Sequence, residues 1–385
     1  MTPSSAVRVS SPGGLQRLSV HGEPSAFAAC PLVACIPARD EAERIEACLA
    51  AADDELEPGD GILLFANGCR DETVPRALDA LEAMRRPFVL LDGDWSEGAG
   101  GAPHARRLAM ETAHANAPRA VLLSLDGDTL VRPGLRASYA RAFREGFDLV
   151  CGAIGFPPDE AASLPPADPE QQGVVREYRR LSAHVAALLD PDPDNPWPHH
   201  GNIGGANFAI SAKAYDAVGG MPTPPFAEDR ALRRLCQAYG LRIRYCDDAL
   251  AWTSCRLDGR AWGGLADELL RERSEADPLV DELLEPPESL ILRIETRRAF
   301  LCARTGPDRL RLLLALGLDA LAAGPRAAAG GPKAWVSAED VSPRLKRRRL
   351  RLSDLRRHLP ELARRHRAIA EGRAGSPAPP ATRAT

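Results

Sequence analysis

Four short apolar runs punctuate the first third of the chain: Leu32 to Ile36, Ile62 to Phe65, Phe88 to Leu91 and Val121 to Leu125. Each is of strand length and is bounded by polar loops. Between them, Glu41 to Ala52, Thr73 to Met84 and His104 to Ala115 carry apolar residues at helical spacing. Successive β-then-α units predict an α/β fold with a mostly parallel sheet, right-handed crossovers and helices on both faces. The alternation continues with a helix over Leu135 to Glu145, a strand at Phe147 to Ala153 and a helix from Gln171 to Leu189. A strand at Ala206 to Ser211 and helices from Ala212 to Val218 and Glu228 to Tyr239 come next, then strand-like residues at Leu241 to Tyr245 and Ala249 to Thr253. From Arg256 to about Ala370 the pattern is helical. The Pro-containing stretches at 156–170 and 190–204 are loops of a length that often carries function. Residues 1–29 and 374–385, rich in Ser, Pro, Gly and Ala without a period, are expected to be disordered. The expected division is thus 1–29, a catalytic domain at 30–255, a helical region at 256–373, and a tail.

Composition adds bounds. With 385 residues, 44% hydrophobic and 26% charged, the chain can bury a substantial core. Its nine cysteines include no Cys-x-x-Cys pair, so they read as reduced core residues rather than zinc ligands. No run approaches the roughly 18 apolar residues of a membrane span; Leu312 to Ala323 contains Asp319. No charged start followed by an apolar stretch opens the chain, and the expected location is cytoplasmic. Net charge is −4, but the chain beyond Arg344 is Arg-rich. There Leu352, Leu355, Leu359 and Leu362 form an apolar stripe beside Arg347, Arg348, Arg349, Arg356, Arg357, Arg364 and Arg365, with Pro360 expected to start a second helix. The stripe reads either as a face docked on the catalytic domain or as a peripheral contact with anionic lipid at the inner face of the membrane. No nucleic-acid motif accompanies the charge, and no nucleic-acid partner is expected.

The candidate chemistry lies at strand ends. Val121 to Leu125 stops at Asp126-Gly127-Asp128, and ligands of open α/β sheets sit beyond the carboxyl ends of such strands. Two carboxylates there suit a hard cation that also takes phosphate oxygens, although Asp-Gly is equally turn chemistry. Pro37-Ala38-Arg39-Asp40-Glu41 lies between a strand and a helix, either as a cradle for a nucleotide's polar groups or as a plain helix start capped by Asp40. Gly98 to Arg107 is a Gly-rich loop running into a helix, where Arg106 either faces a diphosphate or is solvated; Pro103 breaks any dinucleotide fingerprint. Glu228-Asp229 reads either as dipole-favoured acids in a first turn or as a general base. Arg256 and Arg260 could meet a diphosphate or sit in a surface turn, and His199-His200 either lines an acceptor site or is solvated.

In order and spacing, four of these segments resemble the family 2 glycosyltransferases, which have the GT-A nucleotide-diphospho-sugar fold. They are Val33 to Glu41, Ala66-Asn67-Gly68-Cys69-Arg70-Asp71-Glu72-Thr73, Leu125 to Asp128, and Gly205-Ala206-Asn207-Phe208 running to Glu228-Asp229. The resemblance covers about residues 31–255. It implies a nucleotide-sugar donor held by Pro37, Arg39, Glu41, Asn67, Arg106 and Asp126. It further implies Mn2+ or Mg2+ on Asp126 and Asp128, Asn207 and Glu228 on the acceptor side, and Asp229 as the base of an inverting hexosyl transfer. The acceptor would be a hydroxyl-bearing glycan, lipid-linked or small molecule, as in cell-envelope polysaccharide or glycolipid synthesis. Ala66-Asn67 departs from the acid common at the end of the family's second strand, and the Gln-x-x-Arg-Trp pattern of processive synthases is missing, which points to single addition. A sugar-phosphate nucleotidylyltransferase or a catalytically silent nucleotide-sugar sensor are the alternatives. Residues 37–41 lack the former's Gly-x-Gly-x-Arg loop, and the three acids disfavour the latter.

Overall fold

The computed structural model describes residues 14–96, 99–259 and 263–374. The described residues divide into two compact units, one formed by those up to 164 and from 199 to 269, the other by 165–198 and those from 270 onward. This division differs from the expected one in two respects: residues 165–198 group with the C-terminal helices, and the first unit runs on to residue 269 rather than ending at 255. Residues 1–13 and 375–385, expected to be disordered, lie outside the described residues.

The first unit is built on a nine-stranded sheet. Its strands are β1 (Leu15–Gly22), β2 (Leu32–Ala38), β3 (Gly61–Asn67), β4 (Phe88–Trp95), β5 (Val121–Ser124), β6 (Leu130–Val131), β7 (Leu149–Gly155), β8 (Phe208–Ile210) and β9 (Ile243–Trp252). Their order is β1-β4-β3-β2-β5-β8-β7-β9-β6. The central β4-β3-β2-β5 strands are parallel, as the repeating β-then-α pattern requires. β8 runs antiparallel to both β5 and β7, and β9 is parallel to β7. The carboxyl ends of β2, β3, β4, β5 and β9 and the amino end of β8 thus share one edge of the sheet. Every strand-end candidate lies on that edge.

Two corrections concern the sheet. Residues 15–22, expected to be outside the fold, pair antiparallel with β4, and Phe27 in the adjoining 3-10 turn is fully buried. A bulge between Leu15 and Arg17 interrupts the period-2 alternation that identifies a strand, while Leu15, Leu18 and Val20 still pack on the core. The two expected strands at 241–253 are one, β9, with a register shift opposite Gly152 and Ala153.

Helices cover both faces. α1 (Ile45–Glu55), α2 (Thr73–Ala83) and α4 (Leu135–Arg144) bury Leu49, Leu81 and Tyr139 against the alternate positions Ala34, Ile36, Leu64 and Leu123. α3 (Ala102–Asn116), α7 (Ala212–Val218) and α8 (Glu228–Ala238) pack Leu108, Met110, Tyr215 and Leu232 on Val33, Cys35, Leu63 and Phe65. Residues of β2 and β3 are buried on both faces, as the continuous apolar runs imply. Seven of the nine cysteines are buried free thiols and Cys302 is exposed. α5 (Pro158–Ser163) interrupts the expected 156–170 loop.

The second unit is helical: α6 (Pro169–Leu189), α10 (Pro287–Cys302), α11 (Gly306–Ala315), α12 (Ala320–Ala329), α13 (Gly331–Val341) and α14 (Leu352–Ala374), with α9 (Leu265–Ser274) spanning the boundary between the units. Leu352, Leu355 and Leu362 are buried with Tyr178, Leu181 and Val185 of α6 and Leu290 of α10. The stripe is therefore covered, in part by α6, which lies within the 30–255 range of the expected catalytic domain, and the apolar face needed to enter a bilayer is occupied. α14 runs through Pro360 without a break. Among the described residues, no helix is long and apolar enough to cross a membrane.

Candidate active site

Arg106, on the first turns of α3, is the centre of the constellation. It is buried, at 4% exposure, although an arginine in a helix is normally solvated. Its Nε donates to Glu228 Oε1 at 2.9 Å, and one terminal nitrogen donates to Asp126 Oδ1 at 2.7 Å. The other donates to Ser124 Oγ at 2.6 Å and to the carbonyl of Gly205 at 2.9 Å. Ser124 Oγ donates to the same carbonyl at 2.7 Å. One guanidinium thus joins the end of β5, the loop before β8 and the start of α8. Burial alone would lower the Arg106 pKa, but Asp126 and Glu228 outweigh it and hold the guanidinium charged. Gly205 is necessary here, since a Cβ would lie 2.3 Å from an Arg106 nitrogen.

Asp229 sits one residue along α8. Gly205 N donates to its Oδ2 at 3.0 Å and Arg230 N to its Oδ1 at 2.6 Å, which fixes the carboxylate plane. Burial, then the charge of Glu228, raise its pKa, against the Arg230 N–H bond and the Arg106 charge. Asp128 accepts from Thr253 Oγ1 at 3.0 Å, and burial first, then Asp126 and Glu41, push its carboxyl up to about 7. Arg256, just past β9, donates to both oxygens of Glu41, with its NH1 2.6 Å from Oε2. The same guanidinium lies 3.6 Å from Asp128 Oδ2.

The loops after β2 and β3 are pinned together. Asp71 accepts from Ala42 N, Thr73 Oγ1 accepts from Glu41 N at 2.7 Å, and Asp40 accepts from Arg70 N at 2.7 Å. With these N–H groups engaged, the helix expected from Glu41 starts at Ile45, and Asp40 is not its cap. Asp40 and Ala227 are the two non-glycine residues with positive φ among the described residues, at 51° and 57°. Each immediately precedes a site acid, Glu41 and Glu228, and αL backbone at such positions stores strain while setting the direction in which the next residue leaves.

Of the residues singled out in the sequence, Asp126, Asp128, Glu41, Arg106, Glu228 and Asp229 are linked through these contacts. Pro37 is within β2, and Arg39 is exposed. Asn67 is buried and its Oδ1 accepts from Trp95 Nε1 at 2.7 Å. Asn207, expected on the acceptor side, is instead a fully buried staple. Its Nδ2 donates to the carbonyls of Ala153 and Ala249, both at 2.8 Å, and its Oδ1 accepts from Tyr139, filling the β9 register shift. Arg106 is likewise held by protein partners and is buried rather than solvated. His200 Nε2 contacts the Cys151 carbonyl at 3.1 Å and His199 stacks on Tyr245 with rings 5.0 Å apart, so neither ring is simply solvated. Gly98 and Arg260 lie outside the described residues.

The sequence pattern did not single out Ser124 and Thr253 for the site. A serine inside the run Val-Leu-Leu-Ser-Leu is the signal that could have revealed the first, because a polar side chain buried in a strand needs a partner. Asp40, Cys69 and Asp71 bring one ligand atom each within 4.8 Å of one another, a candidate cation cluster among the described residues. Both acids there already accept backbone N–H bonds, and burial pushes the Cys69 thiol up to about 11. That chemistry serves the loop first.

No family model matches the chain, and no curated protein matches its sequence. Among solved structures, the chain is similar to the mannosyltransferase PcManGT from Pyrobaculum calidifontis in complex with GDP-Man and Mn2+, at 15% identity and a TM-score of 0.44, covering 92% of this chain and 86% of that one. It is also similar to S. aureus TarS in complex with UDP-GlcNAc, at 12% identity and a TM-score of 0.41, over 74% and 70%. A third is glucosyl-3-phosphoglycerate synthase from Mycobacterium tuberculosis with Mn2+, UDP-glucose and phosphoglyceric acid, at 14% identity and a TM-score of 0.39, over 65% and 80%.

Proposed function

We propose that the protein is a divalent-cation-dependent, inverting glycosyltransferase that moves one sugar from a nucleoside-diphosphate donor to an acceptor hydroxyl. The observation that carries this reading is the junction of two acid pairs far apart in sequence. Through Arg106, Asp126 at the end of β5 is tied to Glu228 beside Asp229. A general base is thereby held near a cation-type acid pair, as a transfer needs.

The donor set suits a hard cation. Asp126 uses Oδ1 on Arg106 and Asp128 uses Oδ1 on Thr253, which leaves the Oδ2 atoms as the ligand oxygens, that of Asp128 in an ion pair with Arg256, and the two neighbouring carboxylates repel. Two protein oxygens completed by phosphate and water match Mg2+ or Mn2+ coordination. When bound, the ion supplies charge to stabilise the departing diphosphate. Asp229 takes the proton from the acceptor hydroxyl as its oxygen bonds to the anomeric carbon. The anomeric carbon–phosphate oxygen bond breaks with its electron pair leaving on the diphosphate, and attack from the opposite face inverts the sugar.

A thermal-shift series with UDP, GDP and the other nucleoside diphosphates, with and without Mn2+, tests the donor half. One nucleotide with Mn2+ should stabilise the protein by about 2.7 kcal/mol at a hundredfold excess over Kd. Asp128→Asn should remove the Mn2+-dependent part. If no nucleotide raises the melting temperature in either condition, the reading fails.

A pH series tests the base. Asp229 must be ionised to accept a proton, so kcat/KM should fall as pH drops through its raised pKa, with the acidic limb above the ordinary carboxylate value of 3.8. Glu228→Gln removes the neighbouring negative charge and should move that limb to lower pH. A limb that stays in place or moves upward contradicts the assignment of Asp229.

A further inference from the structure

Two guanidiniums, Arg106 and Arg256, face the four carboxylates Glu41, Asp126, Asp128 and Glu228. They are not equivalent. Arg106 is locked by five partners around the end of β5, the loop before β8 and the start of α8, whereas Arg256 makes its side-chain bonds to Glu41 and an ion pair, without a hydrogen bond, to Asp128. The backbone behind it is anchored, with Ser254 Oγ and Cys255 N both donating to Glu160 Oε2 at 2.7 and 3.2 Å. Thr253 meanwhile holds the other oxygen of Asp128. Displacing the guanidinium therefore breaks its bonds to Glu41 and its ion pair with Asp128, and leaves the Thr253 and Glu160 anchors intact. It lies 3.6 Å from Asp128 Oδ2, the oxygen a metal ion would need.

We propose that Arg256 is a displaceable internal cation: it shields Glu41 and Asp128 while the site is empty of ligands, and yields Asp128 to a divalent ion as it turns to the incoming diphosphate. This rests on the reading of Asp126 and Asp128 as the cation site. Two like-signed cations cannot share Asp128 without repulsion, so the ion meets a resident competitor. A diphosphate offers that competitor a bidentate partner at least as good as the one it leaves. Ion and nucleotide then favour each other's binding, because each removes an obstacle to the other.

Arg256→Met should produce two effects of opposite sign. Titrated with Mn2+ alone and followed by the electron paramagnetic resonance signal of the free ion, the full-length variant should bind Mn2+ about tenfold more tightly than the native protein. In the presence of saturating Mn2+, its affinity for UDP or GDP should fall about tenfold or more. A residue that merely supports the fold would weaken both. Because Arg256→Met leaves Glu41 buried without its partner, Glu41→Gln/Arg256→Met keeps the test open, and it should also bind Mn2+ more tightly than the native protein. Asp128→Asn should lose Mn2+ affinity. If Asp128→Asn loses it while both Arg256 variants bind Mn2+ no more tightly than the native protein, the competition is overturned and the cation site stands. If Asp128→Asn leaves Mn2+ binding unchanged, both are overturned.

Discussion

Asp229→Asn is expected to lower kcat by about 10²–10⁴-fold, the usual contribution of a positioned general base, while leaving nucleoside-diphosphate affinity within about threefold of native. The carboxylate is anchored through both oxygens by the N–H groups of Gly205 and Arg230. Each oxygen retains a further lone pair, so the anchors orient the base without consuming it. An asparagine can accept only one of those bonds. Its amide nitrogen would face a second donor, so the variant loses both the base and half the anchoring. Donor binding should survive, because Asp126, Asp128 and Arg256 do not touch Asp229. Steady-state kinetics with a matched isothermal titration of the nucleoside diphosphate separates the two effects. A kcat within threefold of native sinks the assignment. A parallel collapse of kcat and nucleotide binding would instead mean that Asp229 holds the loop at Gly205.

The reach of the sequence differs from element to element for physical reasons. β2, β3, β4 and β5 are legible because strands buried on both faces must be continuous apolar runs, and Asp126 and Asp128 stand out because they end one. β1 is not legible, since its hydrogen bonds are supplied by β4 and its bulge erases the alternation. The helical pattern of residues 169–189 is plain, yet its partner is α14 near the other end of the chain, and periodicity names no partner. Arg106 and Asn207 show the same limit at the site. Both residue types are ordinarily solvent-facing, and only the three-dimensional convergence of β5, β8 and α8 on one arginine, or of a register shift on one amide, shows that each is buried and bonded. Asp229 is recognisable in the sequence as an acid in a first turn. Its orientation comes from Gly205 and from Ala227 in αL conformation, and Ala227 has no sequence signature of its own.

Arg106→Met is expected to destabilise the sheet unit by about 3–5 kcal/mol, the cost of removing one partner from a buried ion pair. Methionine fills much of the same volume and keeps the apolar stem packed in α3, so the loss isolates the guanidinium rather than a cavity. Its departure strands Glu228 in a buried setting, leaves Ser124 Oγ and the Gly205 carbonyl with one bond fewer, and removes the tie holding Asp126. At about 2–4 °C per kcal/mol for a unit of this size, the melting temperature should fall by about 6–20 °C. Arg106→Lys should recover only part of this, since an ammonium cannot span Asp126, Glu228 and the Gly205 carbonyl with the fixed fork of a guanidinium. The cycle with Glu228→Gln discriminates further. If the cost arises from stranding a carboxylate, adding Glu228→Gln to Arg106→Met should restore about 1–3 kcal/mol, a coupling of the size expected for residues in one network. Additive losses in that cycle, or a melting temperature within about 1 °C of native for Arg106→Met, would show that the two acid pairs are not held together through this arginine, and the observation carrying the functional reading would fall with it.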